Sequence, residues 1–264
     1  MVKTIITGAC GRMGKMIRDA ILESDGIKVV GGTEVKGHKC IGKEIEPEKG
    51  YKIKISDDIS EIIDSCDVVI DFTFPQATIS NLEVCRKNKK AIVIGTTGLI
   101  AEQKKKISEA AKSIPIVLSP NMSVGVNLVF DLVKKISKVL GDEYDIEIYE
   151  AHHRFKKDAP SGTALKIAEI IAESLGRDLD RDGVYGRKGI VGERKKEEIG
   201  IHSIRAGDIV GDHTVLFSAH GERIEITHRA HSRETFARGA VRAAKFVASK
   251  KNGLFDMIGV LGIK

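Results

Sequence analysis

Tryptophan is absent, and the 264 residues include only four cysteines. Cys10, Cys40, Cys66 and Cys85 all lie in the first third and show no C-x-x-C spacing. They read as reduced thiols of a cytosolic protein. No apolar run approaches the roughly 18 residues that a membrane span needs. The N-terminus runs straight into VKTIITG, so no signal peptide is expected. Aromatic residues make up 5% of the chain and do not interleave with a basic stripe. Nucleic-acid binding is therefore not expected despite the net charge of +6, and basic and acidic residues are interspersed. What remains, 42% hydrophobic and 30% charged residues, is the composition of a soluble globular protein of one large domain or two ordinary ones.

Short Val/Ile-rich runs alternate with helical periodicity through the first half. TIITG (4–8), KVVGGTE (28–34), DVVIDFT (67–73), AIVIGTT (91–97) and IPIVLSP (114–120) predict strands separated by helices, the first helix running from about Gly11 to Ser24. Continuous apolar runs mark parallel strands buried on both faces, and strand–helix alternation implies a doubly wound sheet. The pattern changes after about Val124. A helix (126–140), the alternating strand DIEIYE (145–150) and a helix from Ser161 to about Leu175 are expected there. The glycine-rich, charged stretch 181–199 reads as a mobile loop. IHSIRA, HTVLFSA and RIEITHRA then predict three consecutive antiparallel strands of an α+β domain. The helical tail from Glu234 is expected to close the first domain non-contiguously. The fold class is α/β, a Rossmann-like N-terminal domain of residues 1–124 and 234–264 with a C-terminal α+β domain of residues 125–233.

GACGRMG, with glycines at 8, 11 and 14, follows the first strand and opens the first helix. Positions without side chains let backbone amides approach a pyrophosphate at the positive end of a helix. Glu34 ends the second strand twenty residues after Gly14, where an acid grips the ribose hydroxyls of a dinucleotide. Glu34 favours NADH; Arg12, Lys36 and Lys39 offset that preference, so NADH or NADPH is expected. GTTG (95–98) and SPNM (119–122) end later strands and are candidates to line the nicotinamide pocket.

In EAHHRFKKDAPSGTA (150–164), His152 and His153 end a strand and face opposite ways, a poor arrangement for one metal ion, and the remaining histidines form no ligand pattern. No metal is expected. Lys156 lies four residues beyond His152, close enough to share a pocket if the chain turns. Histidine and lysine are both proton carriers. Asp158 and Pro160 open a helix whose amides around Ser161, Gly162 and Thr163 form a seat for a carboxylate. The block reads as a site for an anionic, polycarboxylate substrate, with the hydride coming from the other domain.

GxxGRMG, DFT, GTTG, the E-A-H-H-R-x-K-x-D-A-P-S-G-T-A block and SIRAGDIVGDHTVLF with GERIEITHRA together resemble the dihydrodipicolinate reductase family, in order along nearly the whole chain. The resemblance implies NAD(P)H-dependent reduction of 4-hydroxy-tetrahydrodipicolinate to tetrahydrodipicolinate in lysine and diaminopimelate biosynthesis, in the cytoplasm, by a homotetramer assembled through an open mixed sheet. It implies catalytic roles for His152 and Lys156, and substrate contacts from His153, Gly162 and Thr163. It places cofactor contacts at Gly8, Ala9, Cys10, Gly11, Arg12, Met13, Glu34, Gly95, Thr96, Thr97, Ser119, Pro120, Asn121 and Met122. Val35 stands where many members carry arginine, and Phe155 where some carry histidine. Two other readings share parts of the pattern: another amino-acid dehydrogenase of the same two-domain plan, and a dinucleotide sensor without turnover, which leaves the histidine–lysine pair unexplained.

Overall fold

The computed structural model describes residues 1–45 and 53–263. It divides into two compact units, Met1–Val124 with Glu234–Lys264, and Gly125–Arg233.

The first unit is built on β1 (Val2–Thr7), α1 (Arg12–Leu22), β2 (Ile27–Thr33), β3 (Glu44–Ile45), β4 (Ile53–Ser56), β5 (Val68–Asp71), α2 (Pro75–Lys87), β6 (Ala91–Ile94), α3 (Ala101–Ala110) and β7 (Pro115–Leu118). Its sheet, completed by β13 (Gly253–Phe255) from the end of the chain, has the order β13-β7-β6-β5-β1-β2-β4-β3, parallel except for the β3–β4 pair. Side-chain alternation splits the strands between two cores. Ile6, Ile70, Val93 and Val117 pack with helix residues Ile17, Ile21, Ala240 and Ala244. Ile5, Val69, Ile92 and Ile116 pack on the opposite face with Leu82, Cys85 and Ile107. Continuous Val/Ile runs are what such two-sided burial demands.

Between β2 and β5 the sequence pattern suggests a helix. Among the described residues this stretch carries the β3–β4 pair and two 3₁₀ turns, Ile59–Glu61 and Ile63–Ser65. Asp58 caps the first by accepting from the Ser60 amide, and Ile59 and Ile63 bury one turn apart.

The second unit begins in α4 (Val124–Leu140) and continues through β8 (Asp145–His152), α5 (Gly162–Leu175), α6 (Leu179–Asp182), β9 (Gly183–Tyr185), β10 (Ile199–Arg205), β11 (Gly211–Ala219) and β12 (Glu222–Ala230). Its sheet order is β12-β11-β8-β10-β9. Only β11 and β12 form the expected consecutive antiparallel pair. β10, expected to join them, pairs parallel with β8. Its position follows from burial: Ile199 and Ile201 sit beside Ile146 and Ile148, so both strands place isoleucines under α5.

The stretch 181–199 also departs from the loop expectation. It carries the end of α6 and strand β9, and two of its arginines clasp the carboxylate of Glu147: Arg187 through both oxygens at 2.9 and 2.8 Å, Arg194 at 3.1 Å, with His202 at 2.7 Å. Burial alone would raise the Glu147 pKa; Arg187, His202 and Arg194 outweigh it and bring the carboxyl down to about 2. Glycine content signalled flexibility, while the partner of these arginines lies some forty residues upstream.

The tail returns to the first unit. α7 (Glu234–Val247) contributes Ala237, Ala240, Ala244 and Val247 to one core; β13 (Gly253–Phe255) pairs parallel with β7, and α8 (Met257–Leu261) follows.

Candidate active site

Each unit carries one of the two expected clusters of site residues. In the first, the chain order reverses beside β1: β2 lies on one side and β5 on the other, a switch point whose carboxyl edge is the usual ligand crevice. Gly8 takes a left-handed φ of 68°, and the Gly11 amide donates back to the Gly8 carbonyl at 3.0 Å. A Cβ on Gly14 would lie 2.2 Å from the Gly8 oxygen and 2.7 Å from the Ala9 Cα. The helix start is thus pressed onto the turn, and only glycine permits it.

Gly14→Ala is therefore expected to lower the thermal midpoint, with an overpacking penalty of about 1–3 kcal/mol, and to weaken NADH binding by distorting the turn. Differential scanning fluorimetry and NADH fluorescence titration read the two effects.

Gly8, Gly11, Arg12, Met13, Glu34 and Val35 line a cavity of about 660 Å³ together with Phe72 and Thr73 from the end of β5. Glu34 has a second task besides facing this cavity: its Oε1 accepts from the Cys10 amide at 2.8 Å, tying the turn to β2. Exposed Val35 puts no cation on the wall there. Ala9 and Met122, both among the expected contacts, have side chains buried in the core. The Ser119 hydroxyl donates to the Asn121 carbonyl at 2.7 Å and shapes that turn; Pro120 and Thr97 are exposed.

Gly95 and Thr96 are buried and bound to a hub that motif reading missed. Asp71, wholly buried at the end of β5, accepts through Oδ1 from the Thr73 amide (3.1 Å) and from the hydroxyls of Thr73, Thr78 and Thr96 (2.8, 2.9 and 3.0 Å), and through Oδ2 from Asn81 (2.7 Å). One carboxylate thus sets the loops after β5 and β6. Its sequence signal was the acid in DFT.

The second unit gathers the histidine block around Glu150. Ile146, Ile148, Glu150 and His152 alternate onto one face of β8, so the acid and the imidazole continue the buried register of the isoleucines. Four donors converge on this carboxylate: His152 Nδ1 at 2.5 Å, Arg205 through two nitrogens at 2.9 and 2.8 Å, and the Ser161 amide at 3.2 Å. Burial would push Glu150 up; Arg205 and then His152 hold it below the usual carboxylate range. Burial, with Lys156 and Arg205 adding to it, holds His152 below its ordinary value against the pull of Glu150. An ionised Glu150 accepts only, so neutral His152 carries its proton on Nδ1 and presents the lone pair of Nε2. A Cβ on Gly211 would stand 3.0 Å from Nε2, so glycine keeps the space beside that nitrogen clear.

Ser161 caps α5 by accepting from the Ala164 amide at 3.2 Å, and its hydroxyl meets His213 Nε2 at 2.9 Å. The cap is Ser161 rather than Asp158, and its amide is spent on Glu150. Around Gly162, the first residue of α5, the space where a side chain would begin is open. The chain turns after His153: the Lys156 amide donates to the His153 carbonyl at 3.1 Å, and Lys156 Nζ sits 2.9 Å from both oxygens of Asp158.

His213 is buried against His152, ring centroids 5.1 Å apart, and burial brings its pKa down to about 3. Below the ordinary histidine value of about 6.5 the unfolded chain takes a proton that folded His213 refuses. Stability is complete above that value and falls as pH drops through it toward 3, by at most about 1.4 kcal/mol per pH unit. Urea unfolding at pH 7 and pH 5 reads this loss, and His213→Asn is expected to flatten it.

Residues 2–122 match the profile of dihydrodipicolinate reductase, N-terminus, and residues 125–261 that of dihydrodipicolinate reductase, C-terminus. The chain belongs to the dihydrodipicolinate reductase family. It is 53% identical over 267 residues to the 4-hydroxy-tetrahydrodipicolinate reductase of Geotalea uraniireducens and 51% identical to that of Syntrophus aciditrophicus, with 100% of both chains covered in each case. The solved structure of dipicolinate-bound dihydrodipicolinate reductase from Paenisporosarcina sp. TG-14 superimposes with a TM-score of 0.76 at 26% identity, covering 98% of either chain. The enzyme is an NAD(P)H-dependent oxidoreductase of lysine and diaminopimelate biosynthesis that reduces 4-hydroxy-tetrahydrodipicolinate. No described helix is long and apolar enough to cross a membrane.

Proposed function

We propose that Lys156 is the proton donor of this reduction, that His152 stabilises charge on the bound ring, and that His153, Gly162 and Thr163 hold the substrate carboxylates. The observation carrying this reading is Glu150, which ties His152 and the Ser161 amide at the start of α5 to one buried anion, so that imidazole and carboxylate seat share a single support. The glycine turn, Glu34 and the Asp71-braced loop with Gly95 and Thr96 hold the dinucleotide. A reduced nicotinamide, when bound, supplies a hydride. Lys156, its Nζ beside Asp158, gives a proton to the ring as negative charge builds there, so that H⁻ and H⁺ add across one double bond, and loss of the 4-hydroxyl group as water makes up the balance to tetrahydrodipicolinate. Lys156 is then reprotonated from solvent. Glu34 favours NADH, while Arg12, Lys36 and Lys39 supply cations for a 2′-phosphate, so both cofactors serve.

Tyr149 and Ile204 expose apolar surface on the sheet face opposite α5, and we assign that open face to assembly of a homotetramer working in the cytoplasm. To test the catalytic reading, 4-hydroxy-tetrahydrodipicolinate, freshly formed from pyruvate and aspartate semialdehyde, is supplied while oxidation of NADH and NADPH is followed separately. Turnover with both is expected in the wild type, with kcat reduced in His152→Gln and KM raised in Thr163→Val. Unchanged constants in both variants would move the site elsewhere.

A further inference from the structure

Cys10 belongs to the glycine turn, His38 and Cys40 to the loop after Glu34, and no motif spacing connects them. The fold brings one ligating atom of each to within 4.8 Å of the other two, all three residues half-buried. Tetrahedral zinc, with bonds of roughly 2.3 Å to sulfur and 2.0–2.1 Å to nitrogen, spaces its ligand atoms about 3.5–3.8 Å apart. Rotamer adjustments of about an ångström would close this cluster on an ion.

The three residues are also held in place. The Cys10 amide is fixed by Glu34, and the Cys10 and Cys40 side chains pack on the core. The loop is pinned by hydrogen bonds from His38 to Val35, Ile41 to His38, Lys43 to Cys40 and Gly42 to Ile55. His38 Nδ1 meets the Cys40 amide at 3.2 Å, a long contact that a cation would displace. Cys66 and Cys85, by contrast, are buried in the other core of the same unit.

We propose that Cys10, His38 and Cys40 form a binding site for one thiophilic divalent cation of the zinc class at the edge of the dinucleotide turn, with a fourth position left to water. Two thiols and an imidazole are the donors such an ion selects. On binding, each thiol gives its proton to solvent and the two thiolates neutralise the ion's charge. Because Cys10 stands between Gly8 and Gly11, occupancy is coupled to the dinucleotide site.

The test uses the reduced, chelator-stripped full-length enzyme titrated with Co²⁺. A near-ultraviolet thiolate-to-cobalt band and tetrahedral visible bands are expected, saturating at one equivalent and abolished by Zn²⁺. Cys40→Ser and His38→Ala should each weaken binding at least tenfold. Saturating zinc should change the NADH dissociation constant at least threefold in the wild type and not in Cys40→Ser. Absence of the charge-transfer band, or its persistence in Cys40→Ser, overturns the site; loss of the band in His152→Gln relocates it to the histidine block and equally overturns it. Equal NADH affinity with and without zinc overturns the coupling. These readouts involve no turnover, so they stand or fall separately from the assignment of Lys156.

Discussion

Lys156→Ala is expected to lower kcat by about 10²- to 10⁴-fold, the usual worth of a positioned general acid, with the NADH dissociation constant unchanged. The separation is physical. Lys156 lies in the unit of Gly125–Arg233, whereas the glycine turn and Glu34 belong to the other. Its Nζ is held by both oxygens of Asp158 at 2.9 Å, an exposed acid. Asp158→Asn should therefore cost less than Lys156→Ala and act on kcat alone. Stopped-flow turnover and fluorescence titration of NADH give the two numbers. Parallel losses of turnover and NADH affinity in Lys156→Ala would contradict the role of proton donor.

Glu150→Gln should have the largest combined effect on stability and turnover. Four donors converge on a carboxylate that can accept them all, and the amide would turn an NH₂ group toward some of them. Removing one member of a buried ion pair typically costs about 3–5 kcal/mol. The lower end applies here, on the order of 3 kcal/mol, because the Arg205 side chain is 21% exposed. Catalysis should suffer as well, since His152 Nδ1 would lose its anionic acceptor and with it the tautomer that presents Nε2. The double variant Glu150→Gln, Arg205→Met removes the stranded charge. It should regain much of the stability in urea but little of the turnover. Full recovery of both would reduce Glu150 to a purely structural acid. The pH dependence has a definite sign: Glu150 is held below its ordinary range, so its contribution is present at neutral pH and is lost as acidification carries it through its folded value.

The glycine–acid pair of the first unit and the histidine–lysine block of the second were legible because their signals are local. A tight turn needs Gly8 and Gly14 wherever the rest of the chain goes, and DAPSGTA states its own helix start. The network that makes the block a site was not legible in the same way. Glu150 was visible as a residue, but its place beneath His152 depends on the register of β8, and its partner Arg205 lies 55 residues downstream on a strand whose parallel pairing was not expected. Ser161 and His213, 52 residues apart, meet only because β11 runs antiparallel beside β8.

Composition and periodicity by themselves determined the parallel Val/Ile sheet, the dinucleotide turn, the change of character near Val124 and the cationic block, since each is written in neighbouring residues and in the spacing of apolar side chains. Tertiary structure alone decided the sheet order of the second unit, the anchoring of 181–199 through Glu147, the Asp71 hub, and the meeting of Cys10 with His38 and Cys40. Those outcomes depend on which distant polar groups burial forces to find one another. No local period encodes that choice, because the free energy lies in satisfying each buried donor and acceptor after the strands have assembled.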